Sequence, residues 1–278
     1  MRFTKLEGIG NDYIFFDCHQ VQIQEPQELA RDICPRHFGV GGDGIILILP
    51  SEQADVKMRI FNADGSEAEM CGNGIRCLAK YVYDHDVCRK EKLEVETGAG
   101  IRTVNLVMDD SGKARAATVD MGKPGLTRAE IPMLGEPGEK VIGEKLKVDD
   151  SEYEITCVSL GNPHCVIPVP NIDRVPWQQA GSRIEVHEAF PRRTNVHFVE
   201  AVSPDEIMVT TWERGSGPTL ACGTGASASC VAMNLLGKTK RKIVAHLPGG
   251  DLELNWAEDD HVYMTGPAEE VFSGEWTQ

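Results

Sequence analysis

Residues 58–74, MRIFNADGSEAEMCGNG, and residues 209–225, VTTWERGSGPTLACGTG, follow one pattern in two places. Each copy begins with a short run of strand character and ends with Cys-Gly-x-Gly, where a helical pattern opens. The two helical patterns cover residues 74–83 and 225–236. A shift of 151 residues carries Cys71 onto Cys222. The two copies therefore indicate an internal repeat.

Further matches occur at the same shift. They are Gly10-Asn11 with Gly161-Asn162, Gly44 with Asn195, and Gly74 with Gly225. Short apolar stretches bounded by Gly, Pro, Asp and Asn dominate the rest of the chain, and helical patterns are fewer. The sequence predicts an α+β fold of two pseudo-symmetric halves, with a linker region rich in Gly, Pro and Glu near residues 121–148.

Composition excludes some classes of function. The chain has 278 residues, of which 41% are hydrophobic and 26% charged, as in ordinary globular proteins. A formal charge of −15 argues against a nucleic-acid partner, which would require a basic surface. No apolar run approaches the roughly 18–20 residues that span a bilayer. The opening MRFTKLEGIGNDYIFFD resembles no signal or transit peptide, so we expect a cytoplasmic protein without a membrane partner.

The nine cysteines form no C-x-x-C pair, so neither a zinc ribbon nor a thioredoxin-type motif is indicated. We expect most of them to be reduced and buried, and we predict no metal site. Residues 39–44, GVGGDG, match G-x-G-x-x-G, but the strand-like stretch follows the motif instead of preceding it. That order is the reverse of a dinucleotide site, and we predict no bound cofactor.

Cys71 and Cys222 each stand at the predicted start of a helix. Unpaired backbone N–H groups and partial positive charge at a helix N-terminus bind anions and favour a thiolate. We therefore expect a lowered thiol pKa at both positions. We also expect the glycines that follow to let a ligand approach the backbone.

Two such thiols suit stereoinversion of an amino acid. One base removes the α-proton while an acid supplies another to the opposite face, and backbone amides stabilise the charge on the adjacent carboxylate. No lysine environment typical of pyridoxal phosphate is evident. We predict a cofactor-independent isomerase in which Cys71 and Cys222 are the acid–base pair.

Longer segments carry a family resemblance. FNADGSEAEMCGNGIRC (61–77), SLGNPHCV (159–166), FPRRTNVHFV (190–199) and WERGSGPTLACGTGASAS (212–229) resemble the diaminopimelate epimerase family, as do KLEGIGNDYIFFD (5–17) and RHFGVGGDG (36–44). The resemblance implies two domains, each a β-barrel-like sheet around a central helix. The N-terminal half would comprise residues 1–121 with a returning C-terminal strand at 268–278, and the C-terminal half residues 122–267. A homodimer is also implied.

The resemblance implies interconversion of LL- and meso-diaminopimelate, in lysine and peptidoglycan precursor biosynthesis. Cys71 and Cys222 would exchange the roles of base and acid. The reacting carboxylate would be bound by Gly72, Asn73, Gly223 and Thr224. The amino groups and distal carboxylate would be bound by Asn11, Asn62, Asn162, Asn195, Glu213 and Arg214. Gly44 stands where some members of the family have Gln.

Two alternatives remain open at this stage. A two-thiol racemase of proline, hydroxyproline or histidine would need no distal-carboxylate site, and the presence of Asn73 and Arg214 favours diaminopimelate over those substrates. A non-enzymatic protein that senses oxidants or binds metal through paired thiols belongs to a different class. We expect His164 either to support the cleft or to be structural, and His197 to be structural.

Overall fold

The computed structural model describes residues 1–277, which form eighteen strands and four α-helices. In chain order the first elements are β1 (Arg2–Gly8), β2 (Asn11–Asp17), α1 (Pro26–Ile33), β3 (Gly44–Leu49), β4 (Val56–Asn62), β5 (Glu67–Ala68), α2 (Gly72–Asp84), β6 (Lys92–Thr97), β7 (Gly100–Met108) and β8 (Ala114–Asp120). They continue with β9 (Glu144–Val148), β10 (Ser151–Ser159), β11 (Pro163–Pro168), a 3₁₀ turn (Ile172–Arg174), α3 (Trp177–Glu185), β12 (Asn195–Ser203), β13 (Glu206–Glu213), β14 (Gly217–Thr219), α4 (Gly223–Leu235), β15 (Lys242–Leu247), β16 (Gly250–Trp256), β17 (Val262–Pro267) and β18 (Glu269–Glu275).

The chain divides into two compact units. The first comprises Met1–Asp120 and the segment that begins at Thr265, and the second comprises Met121–Met264. The α+β prediction is confirmed, because strands outnumber helices in both units.

The sheet of the first unit runs β18–β1–β2–β3–β4–β6–β7–β8. The pairs β2–β3 and β4–β6 are parallel and the others antiparallel. Strand β3 reads GIILIL and is buried on both faces, as expected for a strand covered on two sides. Its Ile45 and Leu47 pack with residues of α1, while Ile46 on the opposite face approaches α2.

The strands of this sheet curve around helix α2. It contacts β1, β2, β3, β7, β8 and β18, and its residues 72–80 are all buried. Even its charged side chains have partners inside. Lys80 donates to the carbonyl of Ala114 at 2.6 Å and pairs with Asp84 at 2.9 Å, which offsets the cost of burying the ammonium.

The last strand, β18, pairs antiparallel with β1 inside the first unit. Gly274 lies opposite Phe3, and a Cβ at this glycine would stand 2.7 Å from Cζ of that ring. A larger residue would therefore displace the phenyl ring. The last residue of the expected strand, Gln278, lies outside the described residues.

The second unit repeats this arrangement. Its sheet runs β9–β10–β11–β12–β13–β15–β16, with β11–β12 and β13–β15 parallel. Helix α4 contacts β10, β11, β12, β13, β15 and β16 and is buried on nearly every side, as the central helix of a core must be. In the part of the chain that the structure describes, no helix combines the length and apolar character needed to cross a membrane.

The register of the strands follows the 151-residue shift. Tyr13 pairs with Gly44 across the parallel strands β2 and β3, and His164 pairs with Asn195 across β11 and β12. Helix α2 likewise maps onto α4 from the first residue to the last. The predicted pseudo-symmetry therefore extends from sequence spacing to individual strand pairs.

Candidate functional site

Cys71 is the N-cap of α2. Its backbone is extended (φ −140°, ψ 120°), and its Sγ accepts a hydrogen bond from the amide of Gly74 at 3.4 Å. The side chain thus takes the place that Ser or Asp usually fills at a helix start. The backbone amides of the first turn have no partners within the helix and favour a negative charge beside them.

Two side chains of β2 face the Cys71 sulfur. The Tyr13 hydroxyl donates to Sγ at 3.4 Å, and Sγ in turn donates to Oδ1 of Asn11 at 3.4 Å. Nδ2 of Asn73 also donates to this oxygen, at 3.3 Å. The predicted residues Asn11, Cys71 and Asn73 therefore lie in one hydrogen-bonded group, and Tyr13 joins them although the sequence did not indicate it.

A charged network behind Asn11 fixes the orientation of its amide. Nδ2 of Asn11 donates to Asp43 at 2.7 Å, which turns Oδ1 towards Cys71. Arg36 donates to Asp43 at 2.9 Å and to both oxygens of Asp12 at 2.7 and 2.9 Å, and Lys5 pairs with Asp12 at 2.7 Å. The pKa of Asp12 is lowered because these hydrogen bonds and charges outweigh the opposing effect of burial.

Asn73 is buried, and its Oδ1 has no hydrogen-bond partner among residues 1–277. An unpaired buried acceptor is costly, so this oxygen is suited to receive a donor from a ligand. Asn62 ends β4 opposite Gly44, and its Nδ2 donates to Ser66 at 3.0 Å. No hydrogen bond of the described residues joins its side chain to the group around Cys71.

Cys222 is the N-cap of α4, also with extended backbone (φ −129°, ψ 99°). Its side chain is only 7% exposed. Its Sγ lies 3.6 Å from the hydroxyl of Thr224, which is also 3.5 Å from Nδ2 of Asn162. The predicted residues Asn162, Cys222 and Thr224 are thus gathered at the start of α4.

The expectation of a lowered thiol pKa is wrong for Cys222 in the free protein. Burial raises its pKa well above 9, and the carboxylate of Glu213 raises it further. Hydrogen bonds from Thr224 and the amide of Gly225 act in the opposite direction but are outweighed. Desolvation of the thiolate thus exceeds what one helix end supplies, and Cys222 is protonated at neutral pH.

A chain of hydrogen bonds runs from β13 to the start of α4. Thr211 lies 2.9 Å from Nδ1 of His197, Nε2 of His197 lies 2.9 Å from Nδ1 of His164, and Nε2 of His164 lies 2.9 Å from Oδ1 of Asn162. Burial lowers the pKa of His197 to about 3 and that of His164 well below 6.5, so both rings are neutral. Because the Asn162 oxygen can only accept, His164 donates to it through Nε2–H. Nδ1 of His164 then accepts from Nε2–H of His197, and Nδ1 of His197 accepts from the Thr211 hydroxyl.

The second glycine of each Cys-Gly-x-Gly motif has a packing role that differs from the ligand-access role we expected. A Cβ at Gly74 would stand 2.6 Å from Cδ1 of Ile46, and one at Gly225 would stand 2.1 Å from Cε1 of His197. Ile46 and His197 occupy equivalent positions under the 151-residue shift. These two glycines let each helix approach the sheet closely.

Asn195, Glu213 and Arg214 are held around the turn between β13 and β14. Oδ1 of Asn195 accepts from the amide of Arg214 at 3.0 Å, and Glu213 accepts from the hydroxyl of Thr219 at 2.7 Å. The guanidinium of Arg214 donates to the carbonyl of Arg192 at 3.2 Å, and the residue is exposed. This places a cation and an anion next to each other along the turn.

Glu185, at the end of α3, was not found from the sequence. Its carboxylate is buried and accepts from Nε1 of Trp212 at 2.7 Å and from the amide of Gly215 at 2.9 Å. These two donors flank Glu213 and Arg214 in the chain. Glu185 therefore fixes the backbone that presents both, and only the folded chain reveals this contact.

Comparison with known proteins gives consistent results. A sequence profile described as diaminopimelate epimerase matches residues 3–127 and 156–271. The chain is 54% identical to the diaminopimelate epimerase of Pelotomaculum thermopropionicum and 50% identical to that of Heliobacterium modesticaldum, over 99% of each chain in both comparisons. The structure also resembles a probable proline racemase from Agrobacterium radiobacter, with a TM-score of 0.74 at 13% identity, covering 99% of this chain and 92% of that one.

Proposed function

Because this chain belongs to the diaminopimelate epimerase family, we propose that it interconverts LL- and meso-diaminopimelate with Cys71 and Cys222 as its acid and base. The predictions of the family and of an isomerase are confirmed. The observation that carries the residue assignment is that both thiols cap central helices at positions equivalent under the internal repeat. A lone capping cysteine would not support it.

The reaction moves two protons. A thiolate takes the α-proton to its sulfur, the electron pair of the broken C–H bond passes into the carboxylate, and the second thiol gives its proton to the opposite face of the α-carbon. Product formation leaves the thiol and thiolate exchanged, so the reverse reaction starts from the other cysteine. Positioned proton transfer of this kind contributes typically about 10²–10⁴-fold to the rate.

Charge on the carboxylate must be stabilised while the α-carbon lacks its proton. Gly72 and Asn73 open one central helix, and Gly223 and Thr224 open the other. Amides at such positions are oxyanion donors, each worth about 2.7–4 kcal/mol when well placed. We propose that these four residues bind the reacting carboxylate of the substrate.

The two polar ends of the substrate account for the remaining residues. The side chain of Asn73, whose Oδ1 is buried without a partner among residues 1–277, would in addition accept from a substrate ammonium. The carboxylate of Glu213 would pair with an ammonium group of the substrate, and the guanidinium of Arg214 would pair with its distal carboxylate. Amide side chains complete the recognition at Asn11, Asn62, Asn162 and Asn195. A proline racemase needs no such distal contacts, which favours diaminopimelate.

We further propose that the protein acts on its small-molecule substrate without a bound cofactor, that it is a homodimer, and that it works in the cytoplasm. Sedimentation equilibrium of the purified protein tests the second, and a mass near that of one chain would contradict it.

Proton NMR in D₂O tests the function. LL-diaminopimelate, proline and histidine are each incubated with the reduced protein, and Cys71→Ala and Cys222→Ala serve as controls. We expect loss of the α-proton signal and appearance of the meso isomer only with diaminopimelate and only with both thiols. Exchange of proline or histidine alone would refute the substrate assignment, and no exchange at all would support the thiol-sensor alternative.

A further inference from the structure

The Tyr13 hydroxyl reaches the Cys71 sulfur from β2, whereas the hydroxyl at the Cys222 sulfur belongs to Thr224, within α4 itself. The phenol ring is buried, and its oxygen lies 3.4 Å from the Cys71 sulfur. The residue equivalent to Tyr13 under the 151-residue shift is His164, whose two ring nitrogens bond to Asn162 and His197. The two halves thus share a backbone register but place different groups at this position.

The position of the ring is fixed by its neighbour in the sheet. Tyr13 pairs with Gly44, and a Cβ at that glycine would stand 3.0 Å from Cε1 of Tyr13 and 2.3 Å from the carbonyl oxygen of Phe61. The absence of a side chain at Gly44 leaves room for the edge of the phenol. The hydroxyl is therefore held at the sulfur by packing as well as by its hydrogen bond.

The phenol remains a donor throughout the working pH range. Burial, with a further effect of Cys71, raises the pKa of Tyr13 well above 10. Its O–H therefore persists near neutral pH and points a hydrogen at the sulfur. A donor to a charged acceptor stabilises the charged form, here the thiolate.

Each protonation state of Cys71 has its own partners. The thiol donates to Oδ1 of Asn11, whose amide is oriented by Asp43. The thiolate accepts from the Tyr13 hydroxyl and from the amide of Gly74. A residue that must alternate between acid and base requires such partners for both forms.

We propose that Tyr13 is a catalytic residue whose hydroxyl donates to the Cys71 thiolate and thereby sets the pH at which this cysteine serves as the base. The proposal rests on the role assigned to Cys71 under the proposed function. It adds a residue outside the predicted site.

Other charged and titratable side chains lie near the sulfur or its direct neighbours. They are Glu7 from β1, Asp43 from the segment before β3, and Arg76 and Cys77 from α2. Burial raises the pKa of Cys77 to about 12, so that thiol stays neutral. Replacing Tyr13 by Phe retains all four, so a change in Cys71 is attributable to the lost hydroxyl.

The test measures the rate at which iodoacetamide alkylates Cys71 as a function of pH. Cys222→Ala is the parent, mass spectrometry follows the Cys71 peptide alone, and Tyr13→Phe is added. We expect the midpoint of the alkylation profile to rise by about one pH unit, which lowers the rate about tenfold on the acid side. Tyr81→Phe, which removes a half-buried hydroxyl from the same unit, is the matched control and should leave the midpoint in place.

An unchanged midpoint in Tyr13→Phe, or an equal shift in Tyr81→Phe, would overturn the proposal. The acid limb of kcat/KM for diaminopimelate in Tyr13→Phe, with Cys222 intact, should move in the same direction as the alkylation midpoint. Epimerisation with an unmoved acid limb would leave the proposed function standing and refute the role of Tyr13. If the alkylation midpoint moves but the natural protein does not epimerise diaminopimelate, the proposed function is refuted while the effect of Tyr13 on the thiol stands.

Discussion

The starts of α2 and α4 share their backbone but differ in their electrostatics. Cys71 is partly exposed and accepts hydrogen bonds from Tyr13 and Gly74. Cys222 is buried, and burial together with Glu213 raises its pKa well above 9. The repeat thus provides two thiols in equivalent positions, and the surrounding side chains make them unequal.

Under the proposed two-thiol mechanism, this difference would let a pair of identical groups begin a reaction that needs one acid and one base. A protonated Cys222 is ready to donate, while the donors around Cys71 favour its thiolate. If both thiols had the same surroundings, they would have the same pKa. In enzyme molecules with one proton on the pair, either cysteine would then carry it equally often. Asymmetry of the environment selects one arrangement.

The largest expected effect tests whether both thiols are required despite this difference. Cys71→Ala and Cys222→Ala should each lower kcat for epimerisation by at least about 10³-fold, because either change removes one of the two proton carriers. Chiral chromatography of the product measures the rates. Cys230→Ala, at a buried cysteine in the middle of α4, is the matched control and should retain activity. A tenfold loss or less at either cysteine would contradict the paired role.

A second prediction compares the packing of the two central helices. Gly225→Ala should destabilise the protein by about 3 kcal/mol and Gly74→Ala by about 1 kcal/mol, within the range for overpacked cores. The reason is that the Cβ would meet the rigid, hydrogen-bonded ring of His197 in the first case and only the terminal methyl of Ile46 in the second. Urea unfolding measures both, and equal losses would show that His197 is free to move.

A third prediction concerns the turn that follows β13. Glu185→Gln replaces one carboxylate oxygen by an amide NH2 group, which donates instead of accepting, so the side chain can no longer accept from both Trp212 and Gly215. We expect KM for diaminopimelate to rise about tenfold, equivalent to roughly 1.4 kcal/mol, with a smaller change in kcat. Glu188→Gln, at an exposed position three residues on, controls for the lost charge. A fall in kcat at constant KM would indicate that this turn does not bind the substrate.

The smallest effect concerns the histidine pair, which the first unit lacks. In the unfolded chain His197 binds a proton below about pH 6.5, whereas in the folded chain it stays neutral down to about pH 3. The unfolded state therefore binds more protons, and stability falls as pH decreases through this window by up to about 1.4 kcal/mol per pH unit. His197→Gln should reduce the slope between pH 6.5 and 5 in urea unfolding by this contribution, while His164, whose pKa is also lowered, keeps its own.

His246→Gln, at a partly exposed histidine of the same unit, serves as the control. Parallel curves for the natural protein and His197→Gln would show that His197 is protonated in the folded state.

Local sequence pattern predicted much of the fold. The strand-like stretch that follows the glycines of residues 39–44 forms β3, because a continuous apolar run between turn residues has few other solutions. The predicted helices at 74–83 and 225–236 begin two residues earlier, at Gly72 and Gly223, because the cysteines themselves are the caps.

Sequence pattern failed for very short strands and for properties that depend on burial in the folded chain. Strands β5 and β14 are two and three residues long and carry no periodic signal, so only their pairing with β4 and β13 defines them. The raised pKa of Cys222 depends on burial, which a helix-start motif does not reveal. For Tyr13 a signal did exist, because the repeat relates it to His164, but neither residue type alone indicates a contact with a thiol.

The most direct test of the two-thiol account is the isotope content of the first product. LL-diaminopimelate is incubated with the enzyme in D₂O until only a small fraction of the substrate has been converted. NMR and mass spectrometry then locate the deuterium label. A two-thiol mechanism predicts that the meso product carries one solvent deuterium at the inverted α-carbon, while the remaining LL substrate retains its protons. Meso product that keeps the original α-proton, or LL substrate that exchanges before meso product forms, would show that a single base serves both faces.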